Sequence, residues 1–264
     1  MTSRTALIVA SDGEEIGVEV CGSGPPVVLL HGAGGNRATW FQQVVDLAAE
    51  FTVVVIEARG AGRSTDHATQ SGPVAGARDL EAVRQHLDLA GWHVVGHSLG
   101  GWTALRYAAT YPAQTLSCVV LNAVAGVFPP VAEAHWRRFT ADLAVRGWPA
   151  QDLARPLSLT PAFCDARPDL AYLYQLVGAL NPPLLPSVPA GQIRSFDLTG
   201  DEIGRLAMPV TFVAGMADEI APPAAVHDAA DAVGGSYEEL DTGHLPQWEQ
   251  PAHLNALLRQ LLAA

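Results

Sequence analysis

Basic side chains are scarce in this sequence. Its 264 residues include 15 Lys and Arg against 27 Asp and Glu, which gives a formal net charge of −12 at pH 7. A nucleic-acid-binding surface needs clustered Lys and Arg to neutralise phosphates. The composition therefore argues against nucleic acid as a partner. The negative charge favours solubility and says little about the fold.

Cysteine is scarce as well. The three cysteines, Cys21, Cys118 and Cys164, are widely spaced, and no CxxC pair or Cys/His cluster occurs. Two of them lie in or beside apolar runs, where a cysteine is typically a small buried hydrophobe. We therefore expect no metal site, and the pattern is compatible with a reducing compartment.

No apolar run is long enough to suggest a membrane segment. The first residues, MTSRTALIVASDGEE, hold an apolar stretch of about six residues, too short for a secretory signal. The more apolar LSCVVLNAVAGVFPPV is interrupted by Asn122, Gly126 and a pair of prolines, so it does not indicate a membrane span. We expect a cytoplasmic protein that acts on a small molecule and binds no membrane, and we leave open whether it forms a homodimer.

Nucleotide-binding motifs are missing too. A G-x-G-x-x-G pattern starting at Gly32 fails at Arg37, and one starting at Gly60 fails at Thr65. No Gly-Lys-Ser or Gly-Lys-Thr of a P-loop occurs. Because these glycine patterns shape the phosphate-binding backbone, we expect no nucleotide cofactor, and the sequence indicates no other cofactor.

The chain does contain a regular alternation of strand-like and helix-like segments. Hydrophobic residues make up 49% of it, enough for a large buried core. Continuous Val, Ile and Leu runs, typical of parallel strands covered on both faces, occur in PPVVLLHG, FTVVVIEARG, WHVVGHS, LSCVVLNAV and PVTFVAG. Helical patterns between them predict an α/β fold with helices on both faces of the sheet. The two earliest runs flank Asp12-Gly13 and predict a hairpin.

The strand rhythm stops in the middle of the chain. Residues 126–205 carry no clear strand pattern, but hold most of the prolines and several amphipathic, aromatic-rich stretches. The rhythm resumes at PVTFVAG. We therefore predict a core formed by residues 1–125 and 206–264, with a helical insertion at 126–205.

The clearest chemical signal is Gly96-His97-Ser98-Leu99-Gly100, placed after an apolar strand and before a helical pattern. A sharp strand-to-helix turn strains the backbone at its central residue and needs small residues two positions to either side. The serine hydroxyl then stands clear of the chain. The Leu99 amide would lie at a helix N-terminus, which favours an anion.

A serine nucleophile needs a base, and the base needs an acid that orients it. Asp218 follows the run PVTFVAG, and His244 follows SYEELD, so that Ser98, Asp218 and His244 come in the expected chain order. Other candidates remain open, with Glu219, Asp201 and Asp241 as the acid and His31, His97, His86, His227 and His253 as the base. Glu219 neighbours Asp218, and His31 and His97 also lie near the expected site, whereas Asp201 and Asp241 are further from a strand end and His86, His227 and His253 lie in helical, mostly solvated patterns.

The loop HGAGGN, residues 31–36, follows the third predicted strand. Such a loop supplies the second N–H donor of an oxyanion hole, and its glycines let the backbone approach a ligand closely. The candidate donor is the backbone amide of Ala33.

Taken together, these motifs resemble the α/β-hydrolase fold superfamily, and within it the small capped esterases, lactonases, C–C hydrolases and epoxide-hydrolase-like enzymes. The resemblance spans nearly the whole chain and is carried by LLHGAGG, EARGAGRS, VGHSLGGWTAL, GMADEIAPP and GHLPQWEQP. It implies a mostly parallel eight-stranded sheet with a helical cap at 126–205. It also implies Ser98 as nucleophile, His244 as base, Asp218 as acid, and the amides of Ala33 and Leu99 as oxyanion donors. The chain departs mildly from the family at Glu57, where Asp is common.

The resemblance also narrows the chemistry. Epoxide hydrolases and haloalkane dehalogenases of this family use aspartate at the turn, so Ser98 favours acyl chemistry. The family's C–C hydrolases often have Asn before the serine, and this chain has His97. We expect a serine hydrolase for a small, mostly apolar ester or lactone. The alternatives are a C–C hydrolase, a thioesterase, a non-hydrolytic lyase, acyltransferase or cyclase, and a ligand receptor.

Aromatic side chains in the cap favour an apolar substrate, although the same residues would serve equally well to pack the cap onto the core. Candidate pocket residues are His97, Trp136, Phe139 and Tyr172. No cluster of Arg or Lys marks an anionic substrate, and Arg137, Arg138 and Arg194 are more simply interpreted as solvated helix faces.

Overall fold

The computed structural model describes residues 4–146, 155–181 and 193–263. The chain begins with a hairpin of β1 (Arg4–Ser11) and β2 (Glu14–Gly22), which pair antiparallel. Asp12 and Gly13 form the turn with φ of 50° and 80°. A two-residue turn with two positive φ values matches the right-handed twist of the strands it joins, so the predicted hairpin is confirmed.

Six further strands complete one sheet: β3 (Pro26–Leu30), β4 (Thr52–Ile56), β5 (Trp92–His97), β6 (Thr115–Leu121), β7 (Val210–Gly215) and β8 (Ser236–Leu240). The spatial order is β1-β2-β4-β3-β5-β6-β7-β8. In this spatial order, every neighbouring pair from β4 onward is parallel, whereas β2 runs antiparallel to both of its neighbours, β1 and β4. The mostly parallel eight-stranded sheet is therefore confirmed.

Ten helices accompany the sheet in the described ranges: α1 (Phe41–Leu47), α2 (Pro73–His86), α3 (Leu99–Thr110), α4 (Pro130–Arg146), α5 (Pro161–Ala166), α6 (Pro168–Ala179), α7 (Gly200–Ile203), α8 (Pro223–Val233), α9 (Pro246–Glu249) and α10 (Pro251–Leu262). Most begin with proline in their first turn, where the missing N–H costs no hydrogen bond.

The strands β3 to β7 in the middle of the sheet are buried on both faces. One face packs against α2, α3 and α8 in a cluster that includes Val28, Val94, Val120, Leu105 and Val226. The other packs against α1 and α10 in a cluster that includes Val27, Val95, Val119, Leu47 and Leu258. Because neighbouring residues of a strand point to opposite faces, continuous Val runs supply both layers, as predicted from the sequence.

The segment between β6 and β7 contains α4 to α7, and its described residues form no strand. It packs on the core beyond β8 through a separate apolar cluster in which Leu159, Cys164 and Val177 meet Leu245 and Trp248. The division into a core and a cap at 126–205 stays a prediction, and residues 147–154 and 182–192 of that span lie outside the described residues.

The cysteines and the helices can be compared with the expectations from composition. All three cysteines are buried, the position expected of small hydrophobes. Within the part of the chain that the structure describes, no helix is both long and apolar enough to cross a membrane.

Candidate active site

Ser98 forms the turn between β5 and α3, with φ 52° and ψ −120°. Positive φ is strained for a residue with a side chain, and here it reverses the chain direction from strand into helix. The Ser98 N–H donates to the carbonyl of Leu121 in the neighbouring strand, at 2.9 Å. The side chain is half-buried, at the carboxyl edge of the sheet.

The two glycines that flank this turn are required by space. A Cβ on Gly96 would lie 2.2 Å from the Gly100 carbonyl oxygen. A Cβ on Gly100 would lie 2.4 Å from the Leu30 oxygen and 2.6 Å from the His31 oxygen. These atoms all belong to the backbone and cannot rotate away, so α3 begins directly against the end of β3.

Ser98, His244 and Asp218 form a hydrogen-bonded chain. His244 Nε2 lies 3.0 Å from Ser98 Oγ, and His244 Nδ1 lies 2.8 Å from Asp218 Oδ2. Asp218 and His244 are both buried, with 3% and 6% of their surface exposed. The three residues come from loops after β5, β7 and β8, whose carboxyl ends meet at one edge of the parallel sheet. With Asp218 bound at Nδ1, Nε2 of a neutral His244 is left to accept the serine proton.

Asp218 is held as a carboxylate. Burial by itself would raise its pKa, but His244, the Ala221 amide and Asn122 together lower the pKa below its usual range. Oδ1 accepts the N–H groups of Ile220 at 2.8 Å and Ala221 at 3.0 Å. The carboxylate therefore stays charged at neutral pH and fixes the orientation of the imidazole.

Asn122 is a site residue that the sequence did not single out. It follows β6, has φ 53°, and donates from Nδ2 to Asp218 Oδ2 at 2.9 Å and to the Gly243 carbonyl at 3.1 Å. It therefore links the loop of the acid to the loop of the base. Its position directly after an apolar strand is the sequence signal that could have identified it.

The rival residues lie elsewhere or are already engaged. Glu219, Asp201 and Asp241 are exposed, as are His86, His227 and His253. His31 is buried, and both of its ring nitrogens are used: Nδ1 donates to the Gly32 carbonyl at 2.8 Å, and Nε2 accepts the Ala58 N–H at 3.0 Å. Burial lowers the pKa of His31, in keeping with a neutral ring.

His97 is buried and packs against His244. Its Nε2–H donates to the backbone carbonyl of His244 at 2.6 Å, and the two rings pack at 4.9 Å between centroids. Burial, with a smaller contribution from His244, lowers the pKa of His97 to about 3, so the ring is neutral. Nδ1 has no hydrogen-bond partner among the described residues. His97 thus supports the loop of His244, and its predicted place in the substrate pocket stays untested.

The 31–36 loop lies directly against Ser98. A Cβ on Gly32 would be 3.0 Å from Ser98 Cβ and 2.9 Å from His97 Nδ1. Among the described residues, no hydrogen-bond acceptor takes the N–H of Ala33 or of Leu99. Two free amides beside the serine, one of them at the N-terminus of α3, form a suitable site for an oxyanion.

The remaining predicted pocket residues lie on α4 and α6. Trp136 and Phe139 are half-buried and extend an aromatic row that begins at Trp102 on α3 and passes through Phe128. Tyr172 on α6 is 51% exposed. Whether these three side chains contact a substrate stays a prediction.

The charged residues near these helices are exposed or paired with one another. Arg137 and Arg138 are exposed, whereas Arg194 pairs with Asp197 at 2.7 Å and also with Glu133. Glu57, where the family often has Asp, is buried and accepts from Arg37 and Arg63, each at 3.0 Å. In the described residues, no group of three or more His, Cys, Asp or Glu side chains is arranged to hold a metal.

Sheet, turn and hydrogen-bonded serine, histidine and aspartate together define a class of protein, the α/β fold with a nucleophile elbow. The family model for the alpha/beta hydrolase fold matches residues 25–155. A curated relative, the magnesium-chelatase 30 kDa subunit of Rhodobacter capsulatus, is 32% identical over 84% of this chain and 81% of its own. The chain belongs to the α/β-hydrolase family.

Solved structures agree over nearly the full length. An esterase of Thermogutta terrifontis superposes with a TM-score of 0.77 at 24% identity, covering 98% of both chains. Est816, an N-acyl homoserine lactone degrading enzyme, superposes with a TM-score of 0.76 at 25% identity, covering 96% of this chain and 99% of its own.

Proposed function

We propose that the protein is a serine hydrolase that cleaves small, mostly apolar esters or lactones through an acyl-enzyme. The proposal rests on two hydrogen bonds that share His244. Its Nε2 lies 3.0 Å from Ser98 Oγ, and its Nδ1 lies 2.8 Å from Asp218 Oδ2. The similarity to an esterase and to a lactone-degrading enzyme supports the choice of substrate class.

In the first step, His244 Nε2 takes the proton of Ser98 while Oγ attacks the substrate carbonyl carbon. The carbonyl oxygen becomes an oxyanion held by the N–H groups of Ala33 and Leu99, each such donor typically contributing about 3 kcal/mol. When the tetrahedral species collapses, the bond to the leaving oxygen breaks and His244 returns the proton to it. For a lactone, the leaving hydroxyl stays tethered to the acyl group.

In the second step, a water gives its proton to His244 and attacks the acyl carbon. A second oxyanion forms beside the same amides. When it collapses, the bond between the acyl carbon and Ser98 Oγ breaks, His244 returns the proton to Oγ, and the acid is released. Asp218 keeps its charge throughout and stabilises the transient imidazolium. The half-buried aromatic side chains Phe128, Trp136 and Phe139, which continue the row from buried Trp102, support an apolar acyl or alcohol group in the substrate.

A substrate panel tests this function. We expect turnover of short p-nitrophenyl esters and of γ- or δ-lactones, and a Ser98→Ala loss in kcat on the order of 10⁴-fold or more. The matched control is Ser236→Ala, an exposed serine at the start of β8, which should retain wild-type activity. If 1,3-diketones or thioesters are cleaved and oxygen esters are not, the substrate class is wrong. If Ser98→Ala keeps full activity, the mechanism is wrong.

A further inference from the structure

Within the described residues, side-chain contacts at three places tie the segment between β6 and β7 to the loops of the candidate site. His135 on α4 donates from Nε2 to the carbonyl of Ile220, in the loop of the acid, at 3.1 Å. Thr160, at the start of α5, donates to Glu249, which also accepts the N–H of Gly243 at 3.0 Å, next to the base. The third contact, at the end of α6, is made to the 31–36 loop and is the most extensive.

That third contact is made by Asn181. Its Nδ2 donates to the carbonyl of Gly34 at 2.7 Å and to that of Gly35 at 3.0 Å. Its Oδ1 accepts the N–H of Gly62 at 3.1 Å and Nδ2 of Asn36 at 3.2 Å. An asparagine side chain has two donors and two acceptor positions, so Asn181 uses its whole capacity at this junction.

Asn36 strengthens the same junction from the other side. Its Nδ2 also donates to the carbonyl of Val177 in α6, at 2.9 Å, while its Oδ1 accepts the N–H of Ala38. The end of α6 and the 31–36 loop are therefore joined through both asparagines.

The contacts of Asn181 and Asn36 with the 31–36 loop affect the candidate oxyanion donor, the Ala33 N–H, through the orientation of the peptide between Gly32 and Ala33. The Gly32 carbonyl accepts from His31 Nδ1 at 2.8 Å and from the Gly35 N–H at 3.1 Å. In a planar trans peptide the carbonyl and the following N–H point in opposite directions, so these bonds fix where the Ala33 N–H points. Gly35 is thus both a donor that orients this peptide and a residue whose own carbonyl Asn181 holds.

Glycine makes the loop dependent on such contacts. Gly34 has φ 72°, and the Gly34–Gly35 pair lacks the side-chain restrictions that would limit other backbone angles. Without Asn181, the carbonyls of both glycines lose their donor, and the loop gains freedom to rotate the peptides that follow Ala33.

We propose that Asn181 is a positioning residue for the oxyanion loop, through which the placement of α6 sets the aim of the Ala33 amide. This inference rests on the proposed serine-hydrolase function, in which that amide stabilises the transition state. It makes the segment between β6 and β7 part of the catalytic geometry as well as a cover for substrate. Substrates that shift α6 would then change kcat more than binding.

The test compares Asn181→Ala and Asn181→Asp with the wild type. The Asp variant keeps the shape but turns a carboxylate oxygen toward two carbonyl oxygens, so it should be the more damaged. We expect kcat to fall about 10- to 100-fold with KM within about threefold, because losing one oxyanion donor outright costs 10²- to 10³-fold. The control is Arg167→Ala, which changes the net charge by the same amount at the exposed start of α6 and should leave kcat unchanged.

A second comparison separates loop positioning from general loosening. Thr160→Val removes the tie to Glu249 and leaves the 31–36 loop untouched. Hydrogen exchange of peptides covering residues 31–40 should accelerate in both Asn181 variants and stay at the wild-type rate in Thr160→Val and Arg167→Ala. This readout needs no substrate, so it judges the loop even if the wild type proves not to hydrolyse esters or lactones.

The outcomes are distinct. Unchanged loop exchange in folded Asn181 variants overturns the inference, whatever the activity. Faster loop exchange with an unchanged kcat also overturns it, because the loop would then not govern the reaction. A loss confined to KM, or an equal kcat loss and equal loop exchange in Thr160→Val, means that the segment only shapes the pocket. If the wild type shows no turnover but loop exchange is faster in Asn181→Asp, the proposed function is wrong, while the dependence of the loop on Asn181 still holds.

Discussion

At the scale of single residues, the site depends on backbone positions that accept no side chain. Ser98 has a positive φ. A Cβ atom added to Gly96 or Gly100 would lie less than 2.5 Å from a backbone carbonyl oxygen. Strain of this kind persists only where the surrounding structure fixes it. Here the fixed neighbours are the end of β3 and the first turn of α3.

Gly100 and its neighbour Gly101 offer a matched test of that argument. Both lie in α3, where alanine is intrinsically about 1 kcal/mol better than glycine. A Cβ on Gly100 would meet two backbone oxygens at 2.4 and 2.6 Å, whereas the nearest atoms to one on Gly101 are Val120 Cγ1 at 3.1 Å and the Gly96 oxygen at 3.2 Å. We expect Gly100→Ala to lower the unfolding free energy by about 2 kcal/mol or more and to abolish the proposed hydrolase activity. Urea unfolding of Gly101→Ala should stay within about 1 kcal/mol of the wild type, and equal values for both variants would refute the steric account.

The sequence predicted that Ser98, Asp218 and His244 would lie together, because each follows a recognisable strand and strand ends converge in a parallel sheet, and the structure brings the three side chains within hydrogen-bonding distance. It did not identify Asn122 or Asn181, because their partners lie 96 or more positions away along the chain. The orientation of His97 was equally out of reach. A residue next to the nucleophile can point to either side of the turn, and only the position of the His244 carbonyl decides it.

At the scale of secondary-structure elements, the apolar runs correctly predicted strands β3 to β7 and their burial on both faces. The last strand, SYEEL, lies at the edge of the sheet and is largely exposed, which agrees with its polar sequence. The order of the strands was not predicted, since any run of Val and Ile fits any central position. The α/β pattern predicted the layers, and the family resemblance implied that the sheet has eight mostly parallel strands.

The segment between β6 and β7 shows the limit of local patterns. Its helical character was predicted from the missing strand rhythm, and helices α4 to α7 bear this out within the described ranges. Where those helices attach was not predictable, because attachment depends on Leu245, Trp248 and the 31–36 loop, which are remote in sequence. Helical periodicity reports which face is apolar and not which partner covers it.

At the scale of the whole molecule, buried neutral histidines make stability depend on pH. His31, His93 and His97 are all buried, and burial is the main cause that lowers the pKa of each. Unfolding exposes these rings, whose pKa then returns to about 6.5. Below that pH the unfolded chain takes up protons that the folded chain does not, so the unfolding free energy falls as pH falls.

We therefore expect the unfolding free energy to drop between pH 7.5 and 5.5, by up to about 1.4 kcal/mol for each such histidine. His97 is the clearest case, because its folded pKa of about 3 lies far below this window. In urea titrations at both pH values, His97→Gln should lose about 1.4 kcal/mol less between them than the wild type does. His86→Gln, at an exposed ring on α2, should show the wild-type difference. An identical pH dependence in His97→Gln and wild type would contradict the burial argument.

In the proposed mechanism Ser98 is a nucleophile activated by His244 and Asp218. Covalent labelling of the serine tests this role. A fluorophosphonate should transfer its phosphonyl group to Ser98 Oγ, releasing fluoride and the hydroxyl proton. Intact mass at pH 7.5 should then show one adduct per wild-type chain, and peptide mass analysis should locate it on Ser98. We expect no adduct on Ser98→Ala under the same conditions. A wild type that does not react, or a Ser98→Ala variant labelled to the same extent, would contradict this role.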